Sequence, residues 1–254
     1  MRKRLHLGTL VVLALGSAVP YASAQSRPAD CSAEAPPSFR EIFTGTVSDF
    51  RRLPSSGTAG LLLAGAGATL AAHGADDTVT DNVSSRNGVH ETFEPGAILG
   101  GTPAELGAAL TTYGLGRVFH NRCMAAVGAD LAQAQLMAQA MTYALKASVR
   151  RDRPEGSGFS FPSGHASVAF ASATVLQRHF GWKAGLPAYA AATYVAASRV
   201  QMKRHYLSDV IFGATLGVVA GRTVTMPGGH RMTFGPIATP MGPAAGFTLL
   251  GQGR

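Results

Sequence analysis

An all-α helical bundle, closed by a short extended or hairpin segment at the C-terminus, is the fold class this sequence predicts. Three observations point to it. Apolar residues recur at helical spacing through six Ala- and Gly-rich segments between Gly57 and Arg222. Charged residues make up 14% of the chain, against roughly 25% in typical soluble domains, so much of the helical surface must be packed or touch lipid. After Arg222 the periodicity gives way to short alternating stretches broken by Pro-Gly-Gly.

In chain order, "MRKRLHLGTLVVLALGSAVPYASAQ" has a basic start, an apolar middle from Leu7 to Ala18, and Ala22-Ser23-Ala24 in the small-x-small form of a cleavage site. It predicts a secretory signal over 1–24, with Gln25 as the first mature residue. The alternative is an uncleaved anchor, although the apolar middle is short for a bilayer span. Residues 25–56 are polar and Pro-containing, an N-terminal arm with one short helix around "SFREIFTGTVSDFRRL". The bundle, 57–225, begins with "GTAGLLLAGAGATLAAHGA" (57–75). It continues through a polar loop, "DDTVTDNVSSRNG", into helices at 103–120, 124–147, 165–180, 184–199 and 206–222. The acids of the loop lack calcium-loop spacing and are expected to be solvated. Residues 226–254 form a Gly/Pro-rich tail.

Charge and cysteine usage bound the partners. The chain carries +8; removing Arg2, Lys3 and Arg4 with the leader leaves 19 Lys and Arg against 14 Asp and Glu, about +5. That balance suits anionic substrates or an anionic membrane surface, and no basic stripe interleaved with aromatics argues for nucleic acid. Cys31 and Cys123 both remain after cleavage, and an even pair in an oxidising compartment is expected to form a disulfide. Neither has a second Cys at metal-ligand spacing.

Chemistry concentrates in three stretches: "KASVRRDRP" from Lys146 to Pro154, "PSGH" from Pro162 to His165, and "SRVQMKRHYLSD" from Ser198 to Asp209. Taken alone, PSGH reads equally well as Ser163 capping an ordinary helix, and His205-x3-Asp209 as a surface ion pair. Together they resemble the signatures of the type 2 phosphatidic acid phosphatase superfamily, K-x6-RP, PSGH and SR-x5-H-x3-D, with no departure at a fixed position. That superfamily includes the vanadium haloperoxidases and the bacterial non-specific acid phosphatases. The resemblance implies a helical phosphatase domain, with His205 as nucleophile and His165 as general acid and then base.

The residue chemistry agrees with that implication. A phosphoryl group in transfer spreads charge over its oxygens and needs several cationic donors, which Lys146, Arg153 and Arg199 supply. Ser163 and Gly164 open a helix whose free N–H groups favour an anion, and Gly164 has no Cβ to hold the backbone away. Asp209, one turn beyond His205, can hold one ring nitrogen while the other faces phosphorus. No metal or other cofactor is expected, and vanadate is expected to inhibit. Lys203 and Arg204 could add positive potential at the mouth of the site. His73, His90, His120, His179 and His230 match no motif position and are expected to be structural.

The sequence thus predicts an exported, periplasmic phosphatase acting on phosphate monoesters through a phosphohistidine. Its substrate could be a lipid phosphate such as phosphatidate, an isoprenyl diphosphate, or a small soluble ester. A vanadate-dependent haloperoxidase and a non-catalytic phosphate or lipid carrier are the alternatives for function. For location, an integral membrane protein with its site facing the periplasm is the alternative to a globular one touching a membrane surface.

Overall fold

The computed structural model describes residues 36–84, 90–226, 230–239 and 242–251. Nine helices and one hairpin make up these residues: α1 (Phe39–Phe50), α2 (Ser56–His73), α3 (Asp76–Ser84), α4 (His90–Leu99), α5 (Thr102–Val118), α6 (Arg122–Val149), α7 (Gly164–Phe180), α8 (Trp182–Gln201), α9 (Leu207–Val224), β1 (His230–Thr239) and β2 (Gly242–Gly251). The helices are the expected bundle. β1 and β2 pair antiparallel, with His230 opposite Gly251 and Thr239 opposite Gly242. The signal segment, Cys31 and the Pro-Gly-Gly run lie outside the described residues; Cys123 is exposed at the start of α6.

Helix ends follow the local chemistry. Ser38 and Glu41 form a reciprocal capping box on α1. Ser55, Asn121 and Ser163 accept from backbone N–H groups at the starts of α2, α6 and α7. Arg150, in the left-handed region at φ 51°, ends α6. Helix α1 does not stand apart from the bundle: Ile42 is fully buried in the core formed by α5, α6 and the far halves of α7 and α9. The Tyr113 hydroxyl donates to the Pro37 carbonyl at 2.7 Å.

The core is built mostly of Ala and Val, among them Ala125, Ala129, Ala132, Ala138, Ala171, Val175 and Ala220, so the helices cross at close range. The α7–α9 crossing places the site. A Cβ at Gly213 would lie 2.4 Å from the Ser163 carbonyl oxygen, one at Gly217 2.3 Å from that of Ser167, and one at Gly221 2.6 Å from the Thr174 side chain. This ridge of glycines four apart seats α9 directly on the α7 backbone. The Ser163 N–H then donates to the Asp209 carbonyl at 3.0 Å, tying the start of α7 to the start of α9.

Two segments depart from the sequence reading. The polar stretch after α2, expected to be a solvated loop, is helical from Asp76 to Ser84, and its inward residues Asp76 and Thr80 are buried. Apolar periodicity misses it because the face it buries is polar, and Asp76 is paired with the Ser208 N–H at 2.9 Å and with Arg151. Helix α4 is the second addition. Its Gly96 and the following Gly100 let it close on Tyr194 and Val195 of α8.

Helix α2 inverts the usual arrangement. Its buried stripe is Thr58, Gly65 and Thr69, with Gly65 against Thr215 of α9, while Leu63 and Leu70 are about three-quarters exposed. Among the described residues one helix, Leu207–Val224, is long and apolar enough to cross a membrane, and 67% of it is buried in the bundle; α2 and α3, bent by 70°, meet the same test together.

Candidate active site

Lys146, Arg153, Gly164, His165, Arg199 and His205, named by the sequence from three separate stretches, line one cavity of about 460 Å³. Three helices and two loops deliver them. Lys146 is in the last turn of α6 and Arg199 in the last turn of α8. Gly164 and His165 open α7. Arg153 and His205 stand on the loops before α7 and α9, where His205 N–H bonds back to the Arg199 carbonyl at 3.2 Å. Ser163 and Asp209, also named, lie behind the cavity wall. Ser163 is fully buried as the cap of α7, its hydroxyl accepting from the Ala166 N–H at 3.4 Å. It caps the N-terminus of α7, whose first residues Gly164 and His165 line the cavity.

Asp209 is fully buried and heavily bonded. Its Oδ2 accepts from the Tyr206 N–H at 2.8 Å and from the Ser160 hydroxyl, and its Oδ1 accepts from Arg151 at 2.9 Å. The same Oδ2 stands 3.7 Å from His205 Nδ1, longer than a hydrogen bond, and Nδ1 has no other partner. With Nδ1 turned to the carboxylate, Nε2 is the nitrogen left for the cavity. Burial pushes the Asp209 carboxyl up, but His205 beside it, the Ser160 and Tyr206 bonds and Arg151 outweigh burial and hold it below the ordinary carboxylate range.

Burial and crowding of like charges disfavour the cationic forms in the cavity. Burial, then the neighbouring Arg153 and Arg199, bring the Lys146 ammonium down to about 8, with Asp209 opposing. Burial, then Arg204 and Arg153, bring Arg199 down to about 10. Burial, then Arg199, His205 and Lys146, bring His165 down to about 4 against the bond at 3.2 Å between its Nε2 and the Ala97 carbonyl of α4. Burial also lowers His205. Arg153 Nε and Arg199 Nε are buried without a hydrogen-bond partner among the described residues.

A pH dependence follows. As pH rises through about 8, Lys146 loses its charge in the free site, so affinity for phosphate dianion falls, approaching about tenfold per pH unit. The inhibition constant of inorganic phosphate, measured from pH 6 to 10, checks this. A constant flat across pH 8 would contradict it.

Residues outside the motifs complete the wall. Thr102, Gln139, Tyr143, Ala147 and Phe159 line the same cavity, and the Gln139 amide donates to the Thr102 hydroxyl. Gln139, Tyr143 and Lys146 are spaced four and three apart on one face of α6, a legible signal once Lys146 is placed. Of the cations beside His205, Arg204 pairs with Glu155 at 2.5 Å and Lys203 with Asp81 at 4.0 Å, so both point their charge at surface acids. His179 pairs with Asp130 at 2.7 Å and His73 with Asp76 at 3.1 Å. His120 is an exposed residue at φ 54°; the side chains of His90 and His230 lie outside the described residues.

One buried histidine, one half-buried histidine and three cations gathered beside a helix N-terminus, framed by an Ala-rich bundle, have the chemistry that suits a phosphate-bearing anion. Residues 149–231 match the family model of the PAP2 superfamily. Among curated proteins it is similar to the lipid A 1-phosphatase of Porphyromonas gingivalis, 38% identical over 85 residues, covering 32% of this chain and 19% of that protein. It is also similar to the lipid A 4'-phosphatase of Helicobacter pylori, 30% identical over 34% of this chain and 50% of that one. The decaprenylphosphoryl-5-phosphoribose phosphatase of Mycobacterium tuberculosis is 35% identical over 37% of this chain and 58% of its own. The chain thus spans between about a fifth and three-fifths of the curated relatives it matches. The fold is that of the transmembrane PAP2-type phosphatidylglycerolphosphate phosphatase of Bacillus subtilis, with TM-score 0.53 and 20% identity over 73% of this chain and 92% of that one.

Proposed function

We propose that the chain is an exported phosphatase of lipid phosphate monoesters that works through a phosphohistidine on His205. The observation that carries this reading is the convergence of Lys146, Arg153, Arg199, the α7 N-terminus and both histidines on one cavity. An ester phosphate seated there neutralises the cations and raises His165 from about 4 toward the operating range. His205 Nε2 then attacks phosphorus as the ester P–O bond breaks, and the His165 proton passes to the departing alkoxide. In the second half, neutral His165 takes a proton from water, whose oxygen attacks phosphorus; the P–N bond breaks and phosphate leaves. Asp209 stabilises the imidazolium throughout.

A lipid substrate is supported by the mouth of the cavity, where Tyr143 and Phe159 are half or more exposed, and by relatives whose names are those of lipid phosphate phosphatases. The outward Leu63 and Leu70 of α2 give such an enzyme its contact with the membrane. Long-chain phosphate esters are therefore expected to be turned over with kcat/KM at least about tenfold above their short-chain counterparts, the worth of two buried methylenes. Equal values for both would remove the lipid assignment.

Among the described residues no group of three His, Cys, Asp or Glu side chains is placed to hold a metal ion, and in this mechanism the cationic side chains neutralise the phosphate charge. Vanadate is expected to inhibit and EDTA to leave activity unchanged. Activity lost to EDTA and restored by magnesium or zinc would overturn the metal-free mechanism.

A further inference from the structure

We propose that Arg151 and Asp76 are a positioning pair that locks the Asp209 carboxylate behind His205, so that α3, outside the signature motifs, takes part in setting the nucleophile. The inference rests on the phosphohistidine reading above. Arg151 is a bridge: Nη1 donates to Asp209 Oδ1 at 2.9 Å and to the Ser208 hydroxyl at 2.8 Å, and Nη2 donates to Asp76 Oδ2 at 2.9 Å. Its guanidinium lies 4.0 Å over the Tyr206 ring, which fixes the plane of the fork. Asp76 is 3% exposed and Asp209 fully buried, so two dry carboxylates share this cation. Asp76 also accepts the Ser208 N–H at 2.9 Å and the Ser208 hydroxyl at 2.5 Å, pinning the first turn of α9, on which Asp209 stands.

The arrangement divides labour between the two carboxylate oxygens. The Ser160 hydroxyl and the Tyr206 N–H hold Oδ2, the one nearer His205, while Oδ1 accepts from Arg151. Arg151 therefore sets both the carboxylate plane and how much negative charge reaches the imidazole. Asp76 sets how much of the Arg151 charge is left for Asp209. The other charged and titratable groups that share the cavity with His205 are Lys146 from α6, Arg153 from the loop before α7, His165 from α7, Arg199 from α8 and the Tyr143 phenol from α6. Around Arg151 stand His73, at 3.4 Å, and Tyr206.

The two residues should move the acid limb of the kcat/KM profile in opposite directions, because His205 must be neutral to attack. Arg151→Gln leaves the whole Asp209 charge on His205, favours imidazolium, and is expected to move the limb up by about one pH unit. Asp76→Asn frees the Arg151 charge for Asp209, disfavours imidazolium, and is expected to move it down. Arg151→Lys keeps one charge near Asp209 and should return the limb toward wild type. Should Arg151→Gln not fold, the isosteric Asp76→Asn and the Lys variant still carry the test. Lowered kcat with every limb in its wild-type place would mean a purely structural pair and would overturn the inference. Phosphoenzyme trapping on the wild type runs alongside. A wild-type phosphohistidine with unmoved limbs sinks this inference alone; absence of the phosphohistidine sinks both it and the reading beneath it.

Discussion

His205→Ala is expected to abolish turnover, a loss of about 10⁴-fold or more in kcat, since in the proposed mechanism His205 is the group that attacks phosphorus. The cations and the α7 N-terminus remain in that variant, so inorganic phosphate should still bind with an inhibition constant near that of wild type. His165→Ala is expected to behave differently. It loses the proton donor and should slow alkyl phosphates by about 10²–10⁴-fold. With p-nitrophenyl phosphate, whose leaving group needs little protonation, the deficit in the first step should shrink. Burst kinetics on the two kinds of ester separate the steps. Equal losses on both esters would contradict the acid role of His165, and residual wild-type-like turnover in His205→Ala would contradict the nucleophile.

The second large effect lies in packing. Gly213→Val puts a branched side chain where even a Cβ would meet the Ser163 carbonyl oxygen at 2.4 Å. The obstacle is backbone, so α9 must retreat from α7 by about 1 Å, and overpacking of this kind costs about 1–3 kcal/mol. The retreat separates the α7 N-terminus from His205 and Asp209, and a misplacement of that size costs about 10²-fold in rate. Gly67→Ala, at an open position on α2 with nothing within 4 Å of a Cβ, serves as the control. Thermal unfolding and kcat measured together check the pair. A folded Gly213→Val protein with wild-type kcat would show that the glycine ridge does not set the site.

The motifs carried the cavity because each of their residue types has a strong chemical reason to face a phosphate, and six of them do share one wall. Other features were legible in kind but not in position. Ser163 reads as a cradle residue and stands in the structure as the buried cap of α7. Apolar periodicity located the bundle helices to within a few residues. It missed α3 because Asp76 and Thr80 bury a polar face, and nothing local in "DDTVTDNV" says that Arg151 and Ser208 wait 75 and 132 positions on. It missed α4, although Gly96 and Gly100 stand four apart as contact glycines do, because Pro95 interrupts the helical pattern. The Ala97 carbonyl that meets His165 comes with that helix, a backbone atom with no sequence signature of its own.

Trapping the covalent intermediate tests the central claim most directly. Wild-type protein mixed with ³²P-labelled substrate, quenched in base within milliseconds and digested, is expected to yield one labelled peptide, stable in base and labile in acid, with the phosphoryl group on His205. Label that survives acid, or that maps to Ser163 or any residue other than His205, would contradict the account, as would rapid turnover with no covalent label at any time.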